Sequence, residues 1–490
     1  LHSDLRRQRQ MCIRDSTKYM KKNNYRIETD SLGKVKVAKN ALYGAQTQRA
    51  IDNFKMSGIT FDPAFIQALS NLKTACARAN ASCKVLPKNK ATCISSVANK
   101  ISSNIHGFMD HFPVDIFQTG SGTSTNMNMN EVISNIAKRD YKKDVHPNDD
   151  VNMSQSSNDV IPTTINISSL TMSKSLSMSI NFLCDSINAR SKSLAHIIKS
   201  GRTHLMDAVP ISFEQELNVW EEQVRASQSQ IDLSCEEISY LPIGGTAIGT
   251  GINSPKKFSN NVCQELNKIY SEMKIKFKPL EIKGEMMSSQ NHILTLSSAL
   301  TRYASTLLKI ANDIRWMNSG PISGLSEITL KALQPGSSIM PGKINPVLSE
   351  SIMMAATQVN GNHTTIVQAS SSGNFQLNTM LPLIAHNIIE SLYLMINSTF
   401  SMIDLIDSFT VNETSVNENL LRNPIIATKL NQVIGYDLAS KVVKEAYRTN
   451  SSIFDVAEKM TTLTKTELIK ILDPKKSVSY THLTLPTKVT

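Results

Sequence analysis

Five unusually long stretches repeat their apolar residues at helical spacing, and they limit what the chain can fold into more than any other feature. The first, 163–199, places Ile165, Ile167, Leu170, Leu176, Ile180, Leu183, Ile187, Leu194 and Ile198 on a helical period rather than an alternating one. A helix of about 37 residues would run about 55 Å at the standard rise. Similar stretches follow at 211–238, 290–317, 347–368 and 381–409. Each is longer than a small domain is wide, so its apolar stripe must be buried against other helices. The expected fold is therefore mainly all-α, a long central helix bundle flanked by smaller N- and C-terminal domains. An oligomer is the natural way to cover so many long faces. Pro162, just before the first stretch, suits an early helix position, where its missing N–H has no intrahelical partner.

Texture changes mark the boundaries. Segment 20–159 mixes short apolar runs with loops rich in Gly, Asn and Ser, and reads as an N-terminal domain. Segment 160–410 is the bundle, and 411–476, punctuated by Asn423-Pro424 and Gly435, reads as a small helical C-terminal domain. Residues 1–19 and the tail 477–490 have neither a helical nor a strand period and read as non-native or disordered extensions. The Arg-rich start resembles a transit peptide, but Asp4 and Asp15 count against that.

Composition closes off several functions. At 490 residues and 40% hydrophobic, the chain can bury large cores. Every apolar run is interrupted well before the roughly 18 residues a bilayer needs, so no membrane partner is expected. The net charge of +11 is spread along the whole chain. Nucleic-acid binding needs a basic patch, so none is expected; diffuse positive charge instead favours small dianions. Seven cysteines are scattered without a Cys-x-x-Cys pair, which fits reduced thiols and a cytoplasmic location.

Four segments break the helical texture with dense clusters of small polar residues: GSGTSTNMNMNE (120–131), HPNDDVNMSQSSND (146–159), GRTHLMDAVP (201–210) and PGSSIMPGKINP (335–346). The first two offer hydroxyls, amides and backbone N–H groups beside glycines, which is how proteins surround carboxylate oxygens with donors. Ser or Thr opening a helix would add its positive end. Taken singly, Ser121, Thr123, Ser156, Ser157 and Asn158 also read as loop and cap residues. The third segment places Arg202, Thr203 and His204 at the end of one long helix, before the next. Histidine there can pass protons near neutral pH, or be merely structural. In the fourth, Gly336 and Gly342 bracket Ser337, Ser338, Lys343 and Asn345. Lys beside Asn can hold a carboxylate and stabilise the dianion formed when a neighbouring carbon loses a proton. As a bare pattern of Gly, Pro and Ser it is also an ordinary interhelix turn. GSGTSTN is not a dinucleotide fingerprint, GGTAIGTG (244–251) lacks the ending of a phosphate loop, and no His or Cys spacing reads as zinc.

GSSIMPGKINP closely resembles the signature of the fumarase and aspartase superfamily, and LYGAQTQRA (42–50), GSGTSTNMNMNE, HPNDDVN, SQSSND, GRTHLMDAVP and GGTAIGTGIN occur in that family's order. His204 resembles the class II fumarase branch, because aspartases typically have Gln there. The resemblance implies reversible hydration of fumarate to (S)-malate without metal or organic cofactor. It also implies a homotetramer whose active sites are shared between subunits. It casts Ser337 as the base at carbon and His204, paired with Glu350, as the group serving the oxygen. Ser121, Gly122, Thr123, Asn126, Ser156, Ser157, Asn158, Thr203, Ser338, Lys343 and Asn345 would hold the substrate carboxylates, with Lys343 and Asn345 stabilising an aci-carboxylate. His146, Pro147, Asn148 and Asp149 resemble the family's second dicarboxylate site. Ile322 stands where many members have Arg, Glu214 where Gly is usual, and Pro242 where a smaller residue is usual. The alternatives are an aspartate ammonia-lyase of the same superfamily and an inactive structural homologue.

Overall fold

The computed structural model describes residues 25–449 and 451–473. The two terminal extensions expected from sequence lie outside these residues. Described in chain order, a hairpin of β1 (Tyr25–Asp30) and β2 (Gly33–Ala38) leads to α1 (Ala45–Asn53), α2 (Pro63–Ser82), α3 (Lys88–Ser103), α4 (Thr123–Tyr141) and α5 (Ser157–Ser193). A second hairpin, β3 (Ile198–Thr203) and β4 (Met206–Ser212), precedes α6 (Phe213–Ile238), α7 (Phe258–Ile269), α8 (Asn291–Met317), α9 (Val347–Ser370) and α10 (Leu381–Ser408). The last helices are α11 (Glu413–Arg422), α12 (Tyr436–Thr449), α13 (Ile453–Met460) and α14 (Lys465–Ile471). The strands make only two-stranded sheets, so the fold is mainly helical, as the periodicity requires.

The five long stretches are five long helices, with two corrections. The first helix begins at Ser157 and ends at Ser193, so Pro162 is its sixth residue rather than an early one. Its start is secured instead by Ser156, whose hydroxyl accepts from the Asn158 N–H (3.3 Å), while Asp159 reaches back to the Ser156 N–H (2.9 Å). Beyond Ser193, Ile198 continues the apolar period but belongs to β3. There the chain turns into a hairpin because the pairing of Ile198 with Ser212 and Lys199 with Ile211 supplies its backbone hydrogen bonds.

The chain divides into two compact units. Among the described residues, one comprises those up to Lys174, Leu233–Ser298 and Gly361–Leu392; the other comprises Ser175–Asp232, Ala299–Asn360 and those from Tyr393 on. In the first unit, Glu131 of α4 holds the LYGAQTQ segment by accepting from the N–H groups of Gly44 (2.8 Å), Gln46 (2.9 Å) and Thr47 (3.1 Å). A side chain at Gly44 would strike that carboxylate, at 2.9 Å from a Cβ. Buried hydroxyls in the first half of α5 bond back to its own carbonyls, Thr163 to Asp159 (2.6 Å) and Thr164 to Val160 (2.8 Å), so a Ser/Thr-rich helix is buried without orphaned donors at these positions. In the second unit, Ile426, Leu430, Val442, Ile453, Val456 and Leu468 form a local core beneath α12, α13 and α14.

Candidate active site

In the first unit two helix N-termini converge. Gly122, at φ +69°, caps α4; that conformation suits glycine, and a Cβ there would meet Ile161 at 2.9 Å. Gly120 is fitted against the Thr379 carbonyl, which a Cβ would overlap at 1.9 Å. Ser121 and Thr123 hydroxyls lie 2.8 Å apart. In the first turn of α4, Asn126 donates from Nδ2 to the Ser157 hydroxyl (2.9 Å), the first residue of α5. The starts of α4 and α5 are thereby bonded to each other, and their positive ends add at one place. Asn158 donates to the Ala247 carbonyl (2.8 Å), and Asp159 accepts from the Gly244 (2.9 Å) and Thr246 (2.8 Å) N–H groups, tying the GGTAIGTG loop beneath. Burial raises the Asp159 carboxyl to about 7 against those stabilising N–H bonds.

HPNDDV forms a single wide turn, Pro147–Val151. His146 accepts the Asp149 N–H on Nδ1 (3.1 Å), and Asp150 accepts from the His146 N–H (2.8 Å) and from Lys90 (2.7 Å). Asn148 and Asp149 are exposed on this turn.

The second unit carries the remaining residues. His204 is not at a helix end, as expected, but at the tip of the β3–β4 hairpin. His204 (φ +57°) and Leu205 (φ +60°) make a two-residue turn of the kind that matches strand twist. The hairpin is exposed at its tip and anchored at its base. Lys199 is buried, with Nζ bonded to Glu216 (2.7 Å) and Glu327 (2.8 Å), and the other oxygen of Glu327 takes Arg202 (2.7 Å). Asn423 clamps the same strands, donating to Ser200 (3.0 Å) and the Ala208 carbonyl (2.9 Å).

The loop 335–346 is cross-tied by Gly336 N–H to the Lys343 carbonyl (2.8 Å) and Asn345 Nδ2 to the Gly336 carbonyl (2.8 Å). A Cβ on Gly336 would meet that Lys343 oxygen at 2.4 Å. Within it Ser337 Oγ accepts from the backbone N–H groups of Ile339 (3.2 Å) and Met340 (3.1 Å). Ser337 and Lys343 line a hollow of about 420 Å³; Ser338 lies on the same exposed loop. Glu350 sits in the first turn of α9, and neither its carboxylate nor the His204 ring hydrogen-bonds with another of the described residues. Among the described residues of the single chain, His204 and Glu350 are therefore not paired.

Of the departures, Glu214 falls in the first turn of α6, where an acidic residue suits the helix dipole, and Ile322 is 93% exposed. Sequence reasoning missed Lys73 and Glu327. Lys73 had a signal, a lysine inside the apolar run ALSNLKTACA; Glu327, in a short loop, had none.

The scaffold of long helices is that of a lyase. A family model described as lyase matches residues 33–361, and one described as fumarase C C-terminus matches 426–477. The chain is 46% identical to the class II fumarate hydratase of Xylella fastidiosa over 454 residues, covering 92% of this chain and 95% of that one. It is likewise 46% identical to class II fumarate hydratase 2 of Pseudomonas aeruginosa, with 92% and 98% covered. Its fold superposes on the crystal structure of class II fumarase from Schistosoma mansoni with a TM-score of 0.88 at 33% identity, covering 92% and 98% of the two chains. The chain belongs to the class II fumarate hydratase family.

Proposed function

We propose that the chain hydrates fumarate to (S)-malate and back, with the proton at carbon carried by Ser337 and the proton at oxygen by His204. In the hydration direction His204 takes a proton from water as its oxygen bonds C2. The double-bond electrons move onto C3 and its carboxylate, and Ser337 returns a proton to C3. The intermediate carries two negative charges on one carboxylate, which Lys343 and Asn345 stabilise. Ser121, Gly122, Thr123, Asn126, Ser156, Ser157, Asn158, Thr203 and Ser338 receive the substrate carboxylates. The observation that carries the mechanism is the Ser337 hydroxyl accepting two backbone N–H bonds, an arrangement that stabilises an alkoxide.

A homotetramer in the cytoplasm, with each site shared among subunits, is part of this reading. It is supported by α9, where Ser349, Ile352, Ala356, Val359, Asn362, Ile366 and Ala369 are buried and Met354, Thr357, Gln358, Gly361 and Thr364 are exposed. No charged residue occurs from 351 to 389, and an exposed, uncharged helix face is the surface a second copy covers. No described helix is long and apolar enough to cross a membrane. The turn at His146–Asp149 is read as a second dicarboxylate site. Segments 20–159, 160–410 and 411–476 are read as folding units, which limited proteolysis checks.

The purified enzyme is expected to consume the ultraviolet absorbance of fumarate's conjugated double bond at a rate indifferent to chelator, and to release no ammonia from aspartate. Absence of fumarate turnover, or ammonia from aspartate, overturns the proposal.

A further inference from the structure

Lys73 lies in the middle of α2 and is completely buried, yet among the described residues its ammonium hydrogen-bonds to no carboxylate. Its ammonium donates to two amide oxygens, Asn152 Oδ1 (3.1 Å) and Gln155 Oε1 (3.0 Å). Burial pulls it down to about 8, with Asp159 and Cys76 acting in the opposite direction. A buried cation whose hydrogen-bond acceptors are all neutral amides costs folding free energy.

Asparagine and glutamine amides can face either way, whereas an ammonium only donates. Lys73 therefore compels Asn152 to present its oxygen. That oxygen also receives Asn126 Nδ2 (3.1 Å) and Asn130 Nδ2 (3.3 Å), so Asn126 must present its NH2 group on this side. The same Nδ2 donates to Ser157 Oγ (2.9 Å). Ser157 thus accepts from behind, and its own proton, which has no acceptor among the described residues, is left to donate outward from the helix start.

We propose that Lys73 is a positioning residue that fixes the direction of the relay Lys73–Asn152–Asn126–Ser157 and so makes Ser157 a hydrogen-bond donor to a substrate carboxylate. The inference rests on the fumarate hydratase reading of this site. It predicts that Lys73 acts on substrate binding through Ser157 and not by holding the helices together.

The test is steady-state kinetics on the assembled enzyme with fumarate and with malate, for K73M, K73R, S157A and K73M/S157A. Removing a hydrogen bond to a charged group costs about tenfold or more in affinity, so K73M should raise KM by about tenfold with a smaller change in kcat. K73R should recover most of that loss. In the S157A background K73M should change KM by less than about twofold, because the relay then ends on nothing. Unchanged KM in K73M, or an equally large effect with and without Ser157, overturns the proposal. If K73M does not assemble, Lys73→Gln, which restores a two-way amide, takes its place under the same two criteria. A wild-type enzyme that does not hydrate fumarate sinks the functional reading itself; an active one indifferent to Lys73 sinks only this inference.

Discussion

His204 is exposed in the single chain and Ser337 is half-buried in its loop, and neither belongs to the core, so replacing them should cost activity without costing the fold. S337A and H204N are each expected to lower fumarate turnover by about 100-fold or more, the usual contribution of a positioned acid or base. Their unfolding midpoints should stay within the range of surface substitutions. Turnover that survives both changes would remove the assigned roles. His292 shows the opposite case, a histidine with no exposure and no part in the chemistry. Its Nε2 meets Asn166 Oδ1 at 2.9 Å, and burial alone lowers it from 6.5 to about 3. Between about 6.5 and 3 the unfolded chain binds a proton that the folded one refuses, so His292 contributes stability above pH 6.5 that is lost on acidification. Asp159, raised from 3.8 to about 7, works the other way and costs stability as pH rises through that interval. H292N isolates the first effect: the difference in urea midpoint between wild type and variant should shrink from pH 7 to pH 4. A constant difference would refute the assignment.

The β3–β4 hairpin is the element that aims His204, and its base is an ion network rather than an apolar seam. Glu327 is almost fully buried and joins Lys199 to Arg202, the residue before Thr203. Removing one partner of a buried pair leaves an uncompensated charge, so E327A should destabilise the second unit by about 3–5 kcal/mol. It should also lower kcat, since Arg202 and the tip beyond it lose their anchor. Calorimetry and turnover on the same preparation check both; a stable, fully active E327A would mean the hairpin is held elsewhere. None of this was legible in sequence. Ile198 follows Leu194 at helical spacing by coincidence, and a strand of six residues offers too few positions to outvote the 37-residue helix before it. The loop 335–346 was legible as chemistry, because Gly, Ser, Lys and Asn so close together make a poor core. Its internal ties, Gly336 to Lys343 and Asn345 to Gly336, were not.

At the scale of the molecule, Gly361 sits inside α9 with nothing within 4 Å of where a Cβ would be. For an isolated chain, a larger residue there should be harmless or stabilising, since glycine in a helix interior costs about 1 kcal/mol relative to alanine. For a chain that packs this face against a second copy, G361L should obstruct the approach. If the proposed tetramer uses this face, the expected result is a smaller assembly by light scattering with loss of activity, while helical content is kept. A tetrameric, active G361L would place the interface on another face.

What the amino-acid sequence determined by itself was period and chemistry: helices too long to be buried singly, and polar clusters whose residue types suit a small dianion. Both are local properties, readable from spacing over a few turns. The tertiary structure alone decided which side chains meet. Lys73 lies 79 residues from Asn152 and Glu327 lies 128 from Lys199, and only the packing of distant segments makes them partners. The directions of buried hydrogen bonds and the pairing of buried charges depend on those meetings, because a desolvated polar group takes its state from whatever neighbour the fold brings to it.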